Sequence, residues 1–347
     1  MRHSHSNILI IRLSAIGDVA IAAVVVRQAA VRFPETTFTM VSQPLMQPLF
    51  AGLPNLRFVG IDEKTDYRGL RGLWRLYRTV RAQRPDGIAD IHNVFRTRVL
   101  RGLLRLSGIT VCVLRKRRAA RRRLSRRRHK VRQPLQPAVD RCREVIEQCV
   151  GRPLPPDTPT AVPQYAPGSI TPTASTVVGI APFAAYEGKI YPLEKTEQIV
   201  ASYACRPGTE VLLFGGGRRE CAVLEEWERR YPSVRAVAGK LKLTEELALM
   251  QRLSVMICMD SANMHFASFV GTPVVSVWGA THPDAGFYGW RQSPDNAVAA
   301  GLRCSPCSIY GNKSCFYRDY RCLHSIRPET VILRADALIQ TSARSHE

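Results

Sequence analysis

Met259-Asp260-Ser261-Ala262-Asn263-Met264-His265-Phe266-Ala267-Ser268-Phe269-Val270-Gly271-Thr272-Pro273-Val274-Val275-Ser276-Val277-Trp278-Gly279 reads as one continuous step of structure. An apolar run ends at Asp260, Ser261 offers a cap, a short helix starts near Ala262, Gly271-Thr272-Pro273 turns the chain, and a second apolar strand follows. That order is a βαβ unit. It implies a parallel sheet whose ligands collect beyond the carboxyl ends of its strands. The unpaired N–H groups at Ser261, Ala262 and Asn263, with the positive end of the helix dipole, suit an anion such as a nucleotide diphosphate. Asp260 is placed to accept from sugar or ribose hydroxyls, and the bland alternative is a helix cap.

The same grammar opens the chain. Ile8-Leu9-Ile10-Ile11-Arg12-Leu13-Ser14-Ala15-Ile16-Gly17-Asp18-Val19 is a strand, a turn and the start of an Ala- and Val-rich helix reaching about Arg32. Strands are predicted at 8–11, 37–41, 57–61, 87–91 and 110–114, and again at 176–181, 210–214, 234–237, 255–259 and 274–278, with helices between. From 151 to 172 the composition turns to Pro, Thr and Ser, as expected of a linker, with a candidate edge strand at 160–162. The expectation is an α/β chain with domains at 1–155 and 175–327, a linker at 156–174, and a C-terminal helix and tail at 328–347 packing back on the first domain. A length of 347 residues suits two cores.

Charge sets the partners. The formal net charge is +22, and twelve of the residues 115–132 are Lys or Arg with no carboxylate among them. The run lacks interleaved aromatics and no nucleic-acid module is recognisable, so nucleic acid is not expected, although a basic nucleic-acid-binding protein is the rival from another class. An anionic membrane surface and a phosphorylated, carboxylated lipid explain the run better. Residues 68–84 are expected as a helix with Leu70, Leu73, Trp74, Tyr77 and Val80 on one face and Arg71, Arg75 and Arg78 beside it, suited to a membrane interface. No apolar run approaches the roughly 20 residues of a membrane span, and residues 1–6 are polar. The chain is therefore expected in the cytoplasm, at most peripheral on the cytoplasmic face of the inner membrane.

Six motifs in order carry a resemblance: 8–19; Asp90-Ile91-His92-Asn93-Val94-Phe95-Arg96; Lys189-Ile190-Tyr191-Pro192; Gly215-Gly216-Gly217-Arg218-Arg219-Glu220; 259–279; and Thr281-His282-Pro283 through Phe287-Tyr288-Gly289-Trp290. Together they resemble the heptosyltransferase family, glycosyltransferases with two Rossmann-like domains that build the inner core of lipopolysaccharide. The resemblance implies the GT-B architecture, two Rossmann-like domains facing a cleft. It also implies inverting transfer of heptose from ADP-heptose to a lipopolysaccharide core precursor, with no metal or cofactor in the chemistry. It assigns Asp18 as catalytic base, Lys189 to the nucleotide phosphate and Glu220 to ribose hydroxyls. Asp260 is assigned to the donor sugar, Ser261, Ala262 and Asn263 to phosphate through backbone N–H groups, and His265 to the diphosphate. Glycosyl transfer needs these types: a carboxylate to take the acceptor proton, and a cation with helix dipoles for the departing diphosphate.

Arg96, Arg117, Arg118, Arg121 and Arg122 are candidates for the acceptor's carboxylates and phosphates, since guanidinium pairs with both bidentately. Ala184 and Ala185 stand where the family commonly has hydroxyl-bearing residues near phosphate, which keeps a different nucleotide sugar open. Of ten cysteines, Cys304, Cys307, Cys315 and Cys322 fall in one short stretch. A Cys-x-x-Cys pair followed by two more allows a structural zinc, with reduced packing thiols as the alternative.

Overall fold

The computed structural model describes residues 6–63 and 65–344, with side chains as far as 341; residues 1–5 and 345–347 of the expected domain plan lie outside the described residues. In chain order the elements are β1 (Asn7–Ile11), α1 (Ile16–Arg32), β2 (Thr37–Ser42), β3 (Leu56–Gly60), α2 (Gly69–Ala82), β4 (Gly87–Asp90), α3 (Phe95–Leu106), β5 (Thr110–Val113), α4 (Arg118–Leu124) and α5 (Ala138–Val150). They continue with β6 (Thr176–Ala181), α6 (Leu193–Ala204), β7 (Thr209–Leu213), α7 (Arg218–Arg230), β8 (Val234–Ala236), α8 (Leu243–Met250), β9 (Val255–Met259) and α9 (Ala262–Val270). Last come β10 (Val274–Trp278), β11 (Ala297–Ala299), α10 (Arg321–His324) and α11 (Pro328–Arg344). The chain divides into two compact units, one of residues up to Arg117 with Gln136–Pro163, the other of Arg118–Leu135 with residues from Gln164 onward.

The first unit holds a parallel sheet of order β3-β2-β1-β4-β5. β1 sits at its centre and is almost wholly buried, which is why it reads as an unbroken apolar run rather than an alternating one. α1 is buried along nearly its whole length, from Val19 to Ala30. A helix that is apolar all round belongs in a core, and α1 packs on α5.

In the second unit a parallel sheet runs β11-β10-β9-β6-β7-β8. β9 and β10, the strands of the opening motif, are buried throughout. Gly271 ends α9 with φ +90°, a left-handed cap that favours glycine.

Three expectations are corrected. Residues 160–162 form no strand: the buried Arg27 guanidinium donates to the carbonyls of Thr160 and Ala161, taking acceptors that a sheet edge would use. α11 belongs to the second unit, where it packs on α6, β9 and β10. Tyr203 and Arg206 fasten it there through Asp336, at 2.8 and 2.6 Å. The strongly basic stretch, expected within the first domain, belongs from Arg118 to Leu135 with the second unit. In α2 the expected apolar face divides: Val80 is buried and Leu73 and Tyr77 pack against the core, whereas Leu70 is 85% and Trp74 57% exposed. Gly72 is buried beside Tyr67, whose backbone a Cβ there would strike.

Candidate active site

In the first unit the polar groups collect where β1 and β4 end. Asp18 stands in the first turn of α1, and its carboxylate is paired with Arg12, the residue after β1. Arg12 also donates to the Ile91 carbonyl at 2.7 Å, so one guanidinium ties the acid to the end of β4. Asp90 is fully buried and accepts from the His92 and Asn93 N–H groups at 3.1 and 2.8 Å and from Arg101 at 3.2 Å. His92 is buried, with Nε2 3.2 Å from the Ser14 hydroxyl. Burial, then the charges of Arg12 and Lys116, depress its pKa to about 3, so its imidazole is neutral at pH 7 and too weak a base to take a proton there.

The second unit gathers Lys189 and Asp260. β6 ends at Ala181 and a short helical turn delivers Lys189; β9 ends at Met259, so Asp260 follows directly. Lys189 Nζ lies 3.0 Å from Asp260 Oδ2, with the side chains 14% and 9% exposed. Ser261 is the N-cap of α9 but makes no side-chain cap, and its hydroxyl is buried without a partner. Thr281, just past β10, has a buried hydroxyl in the same condition. Such groups are costly unless a ligand or water pairs with them. The backbone at Ala262 and Asn263 opens α9, and His265 is buried one turn on. Glu220, near the start of α7, accepts from the Gly216 N–H at 2.8 Å and so braces the glycine turn after β7.

Lys189 is walled by glycines. A Cβ on Gly311, whose φ is +81°, would strike the Lys189 stem, and one on Gly188 would stand 2.9 Å from the Ala280 Cβ. The Ala280 N–H donates to the Gly188 carbonyl at 2.8 Å. The loop bearing the four cysteines therefore packs directly against the lysine's own turn.

The acceptor candidates separate. Arg96 is committed to Glu63 at 3.3 Å and to the Tyr67 carbonyl. Arg117 belongs to the first unit and Arg118, Arg121 and Arg122 to the second. Arg121 donates to the Tyr310 hydroxyl and lies over the Phe287 and Tyr310 rings. The run is tied down as a strap at a few points, while most of its basic side chains stay exposed. Lys130 Nζ reaches the Cys304 and Pro306 carbonyls at 2.8 and 2.7 Å, and Arg132 reaches the Ser305 carbonyl at 3.0 Å. Arg122 lines a cavity with Cys304, Cys307, Cys315 and Cys322. Burial raises the thiol pKa of Cys307, and of Cys322 to about 12. Among the described residues no three His, Cys, Asp or Glu side chains are grouped so that they could hold a metal ion.

Sequence reasoning placed Asp18 at a strand-to-helix turn, Lys189 in the loop between a strand and a helix, and Asp260 at a strand's end, and the structure has them there. It gave no role to Arg12, His92, Ser14 or Thr281, although all four lie within or beside the motifs quoted; their signal was position at a strand's carboxyl end.

The family model for glycosyltransferase family 9 (heptosyltransferase) matches residues 73–315. The lipopolysaccharide core heptosyltransferase OpsX of Haemophilus influenzae is 25% identical over 285 residues, covering 80% of each chain. Among solved structures, the glycosyl transferase family 9 protein from Veillonella parvula superposes with a TM-score of 0.73 at 20% identity, over 98% of this chain and 99% of that one. The Escherichia coli heptosyltransferase WaaC with ADP gives 0.69 at 18% identity, over 96% and 99%. Two parallel α/β units, a family match over most of the chain and the strand-end acid and lysine agree: the chain belongs to glycosyltransferase family 9, the heptosyltransferases, and is a glycosyltransferase.

Proposed function

We propose that this transferase moves heptose from ADP-heptose onto a lipopolysaccharide core precursor, with inversion at the anomeric carbon. The observation that carries the reading is the Lys189–Asp260 pair, 3.0 Å apart at the start of α9. Asp260 holds the ammonium in place while its second oxygen remains for donor-sugar hydroxyls. Lys189 and the N–H groups of Ser261, Ala262 and Asn263 then face the diphosphate as its charge builds. The partnerless hydroxyls of Ser261 and Thr281 and the buried His265 complete the polar lining. Glu220 retains one carboxylate oxygen for ribose.

In the first unit Asp18 accepts the acceptor hydroxyl's proton as that oxygen bonds to the anomeric carbon and the bond to the diphosphate breaks. The acid gains the proton and ADP leaves with the electron pair. His92, neutral and weakly basic, does not compete for this task. Arg117, Arg118 and Arg122 are the acceptor-side cations. A second reading, transfer of a sugar from another nucleotide, rests on Ala184 and Ala185, which bring no hydroxyl to phosphate. The nucleic-acid alternative loses Lys130 and Arg132, which are bonded to carbonyls of their own unit, and otherwise rests on the exposed remainder of the basic run.

Among the described residues no helix is long and apolar enough to cross a membrane. The exposed Leu70 and Trp74 beside Arg71, Arg75 and Arg78 support peripheral binding to an anionic membrane on its cytoplasmic face. Structural zinc at Cys304, Cys307, Cys315 and Cys322 is a separate proposal. The thiolate donor set and the shared cavity favour it, and the present spacing of the side chains opposes it.

Presented with a panel of nucleotide sugars and deacylated core acceptors, the protein is expected to yield a heptosylated product by mass from ADP-heptose. Asp18→Asn should lower turnover about 10²- to 10⁴-fold with donor binding kept; unchanged turnover would remove Asp18 from the mechanism. Lys189→Ala should weaken ADP binding about tenfold or more while adenosine binding changes little. Equal calorimetric losses for the two ligands would disprove the phosphate contact. Leu70→Ser with Trp74→Ser should reduce cosedimentation with vesicles of anionic phospholipid, as should high salt; sedimentation equal to the parent protein counts against α2 as the membrane face. Zinc predicts about one metal per chain in protein purified without chelator. Far less, with all four thiols reduced, leaves them as packing residues.

A further inference from the structure

The cavity beside the cysteines carries more than thiols. Its volume is about 490 Å³, within the size range of small-ligand pockets. Arg122, Arg126 and Arg128 from the strap line it together with Arg303 and Lys313, and no carboxylate lines it. None of these five cations is in an ion pair among the described residues, whereas Arg321, also at the cavity, pairs with Asp319 at 2.7 Å. Several other cations of the unit are spent, Lys130 and Arg132 on carbonyls and Arg230 and Arg235 on glutamates. These five exposed cations stand around one hollow, where solvent softens their mutual repulsion and an anion joining them is favoured.

The rim is aromatic. Phe316 and Tyr317 are 61% and 46% exposed, meet edge to face at 5.2 Å, and carry the guanidinium groups of Arg127 and Arg321 over their rings. Exposed rings held in this way are flat amphipathic plates, apolar on the face and bordered by charge. A pyranose offers the matching surface, a C–H face with polar edges. A phosphate ester adds close to two negative charges and oxygens that guanidinium pairs bidentately.

We propose that this cavity is a second binding site on the protein, for a phosphorylated saccharide, distinct from the donor site at Lys189 and Asp260. The ligand class rests on the reading of the chain as a glycosyltransferase, and the site serves a phosphate-bearing sugar of the acceptor. Position supports this. Ala280 lines the cavity on one side and contacts Gly188, the neighbour of Lys189, on the other, so both sites share a wall one residue thick.

The test is calorimetric titration of protein saturated with ADP, using a hexose 6-phosphate, the free hexose, inorganic phosphate and an oligothymidylate in separate arms. The hexose phosphate should bind, at least about tenfold more tightly than the hexose. The combined Arg126→Ser, Arg128→Ser and Arg303→Ser variant should weaken it about tenfold or more with ADP affinity unchanged. Phe316→Ser should weaken the hexose phosphate and leave inorganic phosphate as before. No hexose phosphate binding, or equal binding by the arginine variant, overturns the site. Equal effects of Phe316→Ser on both ligands overturn its saccharide half. Oligothymidylate binding that the arginine variant abolishes while hexose phosphate binding is unaffected assigns the surface to single-stranded nucleic acid instead. If the parent protein fails to bind ADP, the donor reading is what falls, and the hexose phosphate arm is then read without nucleotide.

Discussion

Both units are governed by one constraint: a parallel sheet covered on both faces has no room for unpaired polar groups along its strands. β9 and β10 are buried at every position, and β1 at all but its first. Their backbone groups are satisfied by neighbouring strands, and their side chains only pack. Chemistry is therefore pushed to the carboxyl ends, where the chain leaves the sheet and the next helix begins. Asp18, Asp90, Lys189 and Asp260 all stand there, each fixed by a contact that the strand end itself supplies.

This confinement explains what could be read from the sequence. Central strands announce themselves as short apolar runs between turns, and their ends matched the expected positions within a residue or so. β11 was missed because it is three residues long at a sheet edge, with only Val298 buried. The division of α2's apolar face was hidden for a related reason. Gly72, buried in that helix, has no side chain to enter a hydrophobic pattern, and the Tyr67 backbone that meets it leaves no trace in residue types.

The site was partly legible for the same cause. A strand, a turn and a cap before a helix mark where an acid will sit, so Asp18 and Asp260 could be placed without knowing their partners. Pairings across the fold could not be. Nothing local couples Lys189 to Asp260, Arg12 to Ile91, or Arg96 to Glu63, since each joins elements that only the folded sheet brings together. The basic run was the hardest case, because Lys130 and Arg132 bond to main-chain carbonyls, and a carbonyl is the same in every residue.

The strap also changes what a domain boundary means here. The chain passes from the first unit to the second at Arg117, returns at Gln136, and leaves again after Pro163. A fragment starting at Gln164 would carry the whole second sheet yet lack Lys130 and Arg132, leaving the carbonyls of Cys304, Ser305 and Pro306 without these donors. A single cut in the Pro-rich stretch would likewise not yield two complete pieces. The two cores are thus one heritable unit: a recombination that exchanged the second half alone would import a loop tailored to another protein's strap, and the two must be exchanged together.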